Sequence, residues 1–184
     1  MFVRILFAAV ALAVAVAAPA TAAVKDSSPS GFTVENSAVV ATDRQTTWNA
    51  LVEEVGRWWP RDHTWWGQAS ELSIQPRAGG CFCETNGNQQ AQHLTVSFVD
   101  PGRTLRMTGG LGPLQGMGLH GALEFRLEDD KAGGTRVTLW YRAGGYTPDD
   151  LSKFAPVVDQ VQALQLKGLV DYLRANYAPI REDT

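Results

Sequence analysis

Cysteine is nearly absent from this 184-residue chain, which holds only Cys81 and Cys83. Two sulfurs one residue apart, with no second ligand pair, make a poor zinc site. A bridge between them would close a very small ring, so the expectation is a pair of buried free thiols on one strand face. Histidine is almost as scarce, with His63, His93 and His120 alone. No G-x-S-x-G, H-E-x-x-H or Walker sequence occurs, so no standard nucleophile, zinc or nucleotide site is spelled out. The G-x-G-x-x-G string from Gly116 to Gly121 runs into an alternating strand pattern, which excludes a dinucleotide fingerprint. No metal and no cofactor are expected. Net charge is −3 and there is no basic block, which argues against a nucleic-acid partner.

Long apolar runs are lacking beyond the N-terminus. Ile5 to Ala18 is a 14-residue apolar stretch, short of the ~20 residues a membrane-spanning helix needs. Arg4 precedes it and Pro19-Ala20-Thr21-Ala22 follows, so residues 1–22 read as a secretory signal peptide cleaved near Ala22. The expected product is exported, periplasmic or secreted, monomeric and not membrane-spanning. The remaining roughly 160 residues suit one domain with one core. Val24 to Gly31, rich in Ser and charge, reads as a flexible leader (23–31). The domain is expected over 32–178, with a tail at 179–184.

What the chain does have is periodicity. Phe32 to Val40 has strand composition. Thr42 and Gln45 fit a capping box, after which Trp48, Leu51, Val52, Val55 and Trp59 recur at helical spacing. Six alternating runs follow, beginning at Glu71, Cys81, His93, Thr104, Leu119 and Thr135, with turn signals between them. They predict an antiparallel meander. Pro156 opens a final helix to about Asn176. Its residues Val157, Val161, Leu164, Gly168 and Tyr172 form one arc, with Leu166, Val170, Leu173 and Tyr177 forming a second. So wide an apolar surface needs heavy cover.

Four of the six tryptophans crowd into "GRWWPRDHTWWG", as Trp58, Trp59, Trp65 and Trp66. They do not fit one helix or strand face. Either they cap a cavity, giving apolar ligands flat surfaces, or they wedge a loop against the core. His63, between them, is placed at a cavity mouth or at a helix-end hydrogen bond. Gly109 to Gly118 reads as a mobile loop with an apolar tip at Leu111, Pro113 and Leu114. By alternation, Leu94, Val96 and Phe98 face inward, with His93 and His120 on the opposite side. Met107, Leu123 and Tyr141 join the inward set, and Phe82 or the cysteines flank them. Leu164 and Gln165 are the final helix's candidates. Glu53, Glu54, Glu71 and Glu84 are acid or base candidates only if buried.

"VGRWWPRDHTWWG", "PRAGGCFCE", "DPGRTLRMTGGLGPLQGMG" and "GGTRVTLWYRAGGY" resemble stretches of the START-related SRPBCC superfamily. The nearest branch groups polyketide cyclases with activators of the Hsp90 ATPase, and the resemblance runs from Phe32 to Tyr177. It implies an α+β helix-grip fold: a curved antiparallel sheet of six to seven strands wraps a long C-terminal helix, with two short helices after the first strand. It also implies a cavity for a lipid, sterol or polyketide-like molecule, apolar or amphipathic. It transfers no catalytic residues. A cyclase, dehydratase or hydrolase using the same cavity remains an alternative, requiring a buried ionisable pair such as His63 with a Glu. A protein-interaction module with a filled cavity is the other.

Overall fold

The computed structural model describes residues 21–177. The expected signal peptide, apart from its last two residues, and the expected tail lie outside the described residues. The chain enters as strand β1 (Thr21–Ser28), which turns back through Pro29-Ser30 into β2 (Gly31–Val40). The two are antiparallel, with Val24 opposite Val34 and Ser28 opposite Gly31. The expected flexible leader is therefore the outermost strand of the sheet. An edge strand bonds through its main chain and leaves side chains to solvent, so its composition looks like a loop; Lys25 meets Glu35 at 3.1 Å.

Helix α1 (Arg44–Glu53) starts one residue later than the capping box suggested. Asp43, not Thr42, is the cap, accepting from the Thr46 N–H at 2.9 Å and the Thr46 hydroxyl at 2.7 Å. These bonds hold the Asp43 carboxyl below its ordinary value. The short α2 (Val55–Trp58) follows, then two single-turn helices of the tighter three-residue kind at Arg61–His63 and Gly67–Ala69.

The meander comprises β3 (Glu71–Ile74), β4 (Cys81–Asn86), β5 (Gln89–Asp100), β6 (Thr104–Gly109), β7 (His120–Asp129) and β8 (Thr135–Gly144). With β1 and β2 the sheet has eight antiparallel strands in the order β1-β2-β8-β7-β6-β5-β4-β3, one more than the upper expectation. The surplus is β1. Between β6 and β7, the expected mobile loop holds a one-turn helix, α3 (Pro113–Gly116), with Leu111 and Leu114 buried. Gly112, at φ 56°, makes the turn into it, a conformation that side chains with a Cβ resist.

Helix α4 (Ala155–Asn176) lies across the inner face of the curved sheet, against β2 and β1, with α1 and α2 on its other flank. Its buried positions are Ala155, Asp159, Gln162, Gln165, Leu166, Leu169 and Leu173. The two predicted apolar arcs are only partly right, since Val157 and Leu164 are more than half exposed, at 58% and 51%. Gly168 fixes the rotation. A Cβ there would sit 2.4 Å from the Trp58 carbonyl oxygen, so α4 rests directly on the end of α2. Past that contact, Tyr172 and Tyr177 donate their hydroxyls to Glu54. The Glu54 carboxyl is held down by those bonds, while burial and the Glu54 charge push Tyr172 up to about 12.

Candidate functional site: an apolar cavity under the tryptophan segment

The tryptophan segment owes its shape to one carboxylate. Glu84 in β4 is fully buried, and its Oε1 accepts from the Trp65 N–H at 2.8 Å, the Trp66 N–H at 3.2 Å and the Ser70 hydroxyl at 2.6 Å. Its Oε2 lies 2.8 Å from His93 Nε2. Burial alone would raise this carboxyl, but the bonds from Ser70, His93, Trp66 and Trp65 outweigh it and hold the acid below its ordinary value. Arg61 closes the other end of the loop, donating to the Ser70 carbonyl at 2.6 Å and the Gly56 carbonyl at 2.5 Å. Within this frame, Trp58 is a core residue. Its Nε1–H donates to the Ala50 carbonyl at 3.0 Å, and its ring meets Phe125 edge-on at 6.4 Å. Trp59 packs edge-on against Phe82 at 5.1 Å and donates to the His63 carbonyl.

Two bulges in β5 overturn the alternation on which its residues had been assigned. Phe82 pairs with Leu94 and Cys83 with Gln92, leaving His93 as the extra residue. A bulge puts two consecutive side chains on one face, and His93 and Leu94 are both buried. His93 is therefore not the surface residue expected; its ring lies 5.3 Å from that of Phe82. A second register shift follows, with Val96 opposite Met107 and Phe98 opposite Arg106. It turns Phe98 outward, 45% exposed, beneath the Arg106 guanidinium at 5.3 Å. His120, outside the bulges, is exposed as expected. The cysteines also differ from expectation. Cys81 and Cys83 form a disulfide, their Cα atoms 5.4 Å apart. That separation lies within the span a disulfide can bridge.

Between the tryptophan segment, α3 and the N-terminal half of α4 lies a cavity of about 450 Å³. Tyr141 forms part of its wall, fully buried, its hydroxyl accepting from the Leu111 N–H at 3.2 Å. Burial pushes that phenol up. The same hydroxyl lies 3.5 Å from the Gly109 carbonyl, and Gln115 donates to the Gln92 carbonyl beside the first bulge. The α3 loop is thus tied to the sheet at both β5 and β8. The lining is overwhelmingly apolar, with Met117, Pro113, Phe154, Val158 and Val161 among its walls. Four buried polar atoms on lining residues have no hydrogen-bond partner: Nδ1 of His63, both amide atoms of Gln162, and Oε1 of Gln165. Buried polar groups are nearly always paired. They cluster on one cavity, whose wall thus offers unpaired polar atoms among apolar side chains.

Of the residues singled out in the sequence, the cavity gathers Trp59, His63, Trp65, Leu111, Leu114, Tyr141 and Gln165. Trp58, Leu94, Val96, Met107 and Leu123 are core instead, and Trp66 is half-buried behind its bond to Glu84. Phe98 and Leu164 face solvent. His93 and Gln162 line the cavity without having been foreseen. The signal for Gln162 was present, since it interrupts an apolar arc; that for His93 was hidden by the bulge. No group of three metal-ligating side chains occurs among the described residues.

No family model and no curated protein matches the sequence. Solved structures do match. CalU16 from Micromonospora echinospora superposes with a TM-score of 0.59 at 15% identity, over 87% of each chain. The fold is a helix grip. Protein MLL2253 from Mesorhizobium loti gives 0.55 at 17% identity, over 79% of this chain and 99% of its own. An uncharacterized protein from Rhizobium leguminosarum gives 0.56 at 18%, over 79% and 96%. At such identities the likeness carries the fold and nothing finer.

Proposed function

We propose that this chain is an exported, monomeric START-like protein of the SRPBCC type that holds a small amphipathic molecule in the cavity beneath Trp59 and Trp65. The observation that carries the reading is the coincidence of unfilled apolar space with unpaired polar atoms of His63, Gln162 and Gln165. The volume falls within the range of small-molecule sites, which combine apolar walls with a few convergent polar groups. A flat lipid-, sterol- or polyketide-like body would lie on the indoles while a hydroxyl, carbonyl or amide met the unpaired atoms. The open cavity supports binding over an interaction module filled by its own side chains. The apolar run and small-residue site at the N-terminus support export. No helix among the described residues is long and apolar enough to cross a membrane.

Native mass spectrometry of protein purified from its own host, followed by solvent extraction, tests this directly. A defined small-molecule adduct is expected. Empty protein whose tryptophan fluorescence no apolar ligand quenches would remove the reading. The two outer indoles divide the prediction further: Trp65→Ala should weaken binding roughly tenfold, about 1.4 kcal/mol, and Trp66→Ala much less. Equal effects would show that the cavity mouth is not where Trp65 stands.

A further inference from the structure

The Glu84–His93 pair does more than the tryptophan loop requires. Three donors, the Trp65 and Trp66 N–H groups and the Ser70 hydroxyl, already converge on Oε1. Oε2 is left to the imidazole alone. The carboxyl is held ionised by its bonds, so it accepts, and the hydrogen between the two side chains belongs to His93 Nε2. Fixing one ring nitrogen as the donor fixes the tautomer. In the neutral ring the lone pair is then on Nδ1, which has no hydrogen-bond partner among the described residues. The ring itself lines the apolar cavity. A buried carboxylate orienting an imidazole whose other nitrogen is free is the arrangement that makes a general base. Among the described residues no hydroxyl or thiol is hydrogen-bonded to this ring: Ser70 donates to Glu84, and both sulfurs are in the disulfide.

From this geometry we propose that His93 is a catalytic base acting on a flat conjugated molecule with an acidic C–H bond, with Glu84 as its positioning residue. The proposal rests on the cavity being a ligand site, as argued above. In the step, His93 Nδ1 takes the proton and the C–H electron pair moves into the conjugated system of the ligand. The imidazolium charge faces the Glu84 carboxylate until the proton passes to water or returns to another carbon. Nothing is oxidised, and the only co-reactant is water. An apolar cavity strengthens such a base by stripping its substrate of water.

Nitrobenzisoxazole is a suitable probe: flat, apolar and coloured on reaction. Loss of its ring C–H proton makes the C–N bond a nitrile, and the N–O bond breaks with its pair on oxygen to give a cyanophenolate. Turnover by purified protein is followed by absorbance, and binding of the unreactive isostere nitroindazole by tryptophan quenching. Saturable turnover is expected, with kcat falling about 100-fold or more in His93→Gln while nitroindazole binds as before. Gln at 93 keeps an N–H for Glu84, so the loop should stay in place, which tryptophan emission and near-ultraviolet circular dichroism check. Glu84→Gln should lower kcat by more than it weakens isostere binding; a fall in isostere binding as large as the fall in kcat would reduce Glu84 to a loop staple. Nitroindazole bound without turnover above that of free imidazole overturns the base alone. Turnover lost in His63→Gln but kept in His93→Gln overturns the assignment. Failure of nitroindazole to bind instead overturns the ligand-site reading on which the base depends.

Discussion

The two halves of α4 are made of similar residues and do opposite work. From Leu166 onward the inward face is Leu166, Leu169 and Leu173, all at most 1% exposed, and Gly168 lets the backbone touch the carbonyl of Trp58. Before Leu166 the inward face is Asp159, Gln162 and Gln165. Of these only Asp159 is answered from the sheet, its Oδ1 accepting from the Asn36 amide at 3.0 Å. The glutamines are not. One half is a wedge seated in the core; the other is the wall of a space. Identical helical geometry thus supplies a core contact at one end and a cavity wall at the other, and the core half is seated through a glycine.

Breaking the wedge should cost most. Leu169→Ala removes a fully buried side chain, and urea unfolding should show a loss of about 2–5 kcal/mol; a loss below that range would mean the C-terminal half is loosely packed. Gly168→Ala sets a helix gain of about 1 kcal/mol against a Cβ 2.4 Å from a carbonyl. We expect a net loss of about 1–3 kcal/mol, and a more stable variant would refute the contact. The wall should respond with the opposite sign. Gln162→Leu removes two unpaired buried polar atoms, so the empty protein should gain about 1–3 kcal/mol while affinity for an amphipathic ligand falls. Stability and affinity falling together would make Gln162 a core residue. The disulfide comes last: Cys81→Ser with Cys83→Ser should cost about 1–2 kcal/mol, because so small a loop restrains the unfolded chain little.

Acid separates the regions in another way. The Glu84 carboxyl is depressed in the folded state, so its contribution to stability is complete above the ordinary carboxylate range. It is lost as pH falls through the folded value. The loss of order should begin at the tryptophan segment, where the bonds from the Trp65 and Trp66 N–H groups lose the charge that strengthens them. Trp65 emission should therefore shift at mildly higher pH than far-ultraviolet circular dichroism; coincident transitions would show that Glu84 holds the whole fold rather than the loop.

Most of the architecture was legible because periodicity reports which residues meet a common core. The helical pattern at Trp48, Leu51 and Val52 in α1 and Val55 in α2 is buried as read, and the meander order follows from short turns. What failed did so where counting by two or by 3.6 loses its meaning. In β5 two extra residues reverse the parity twice, which hid His93 and turned Phe98 out. Edge strand β1 escaped because main-chain bonding leaves little trace in side-chain composition. On α4 the wheel placed Leu164 inside and treated glutamine as an interruption. Yet the helix is turned so that the glutamines face in, a choice settled by the one close contact at Gly168. The cavity walls on the tryptophan and α3 segments were recognisable from their crowded indoles and apolar tip. Glu84 was not, because a buried acid is identified by its donors, and these come from residues nine to nineteen positions away.

The unpaired amide of Gln162 and the unpaired Oε1 of Gln165 also carry a consequence for any ligand. A pure hydrocarbon of the right shape would gain burial energy from the walls but leave these atoms unpaired, forgoing the roughly 1–3 kcal/mol per group that a ligand with a matching donor or acceptor would recover. On the proposed ligand-binding reading, of two molecules of equal size the one bearing a well-placed donor and acceptor should bind more tightly than the one without a dipole.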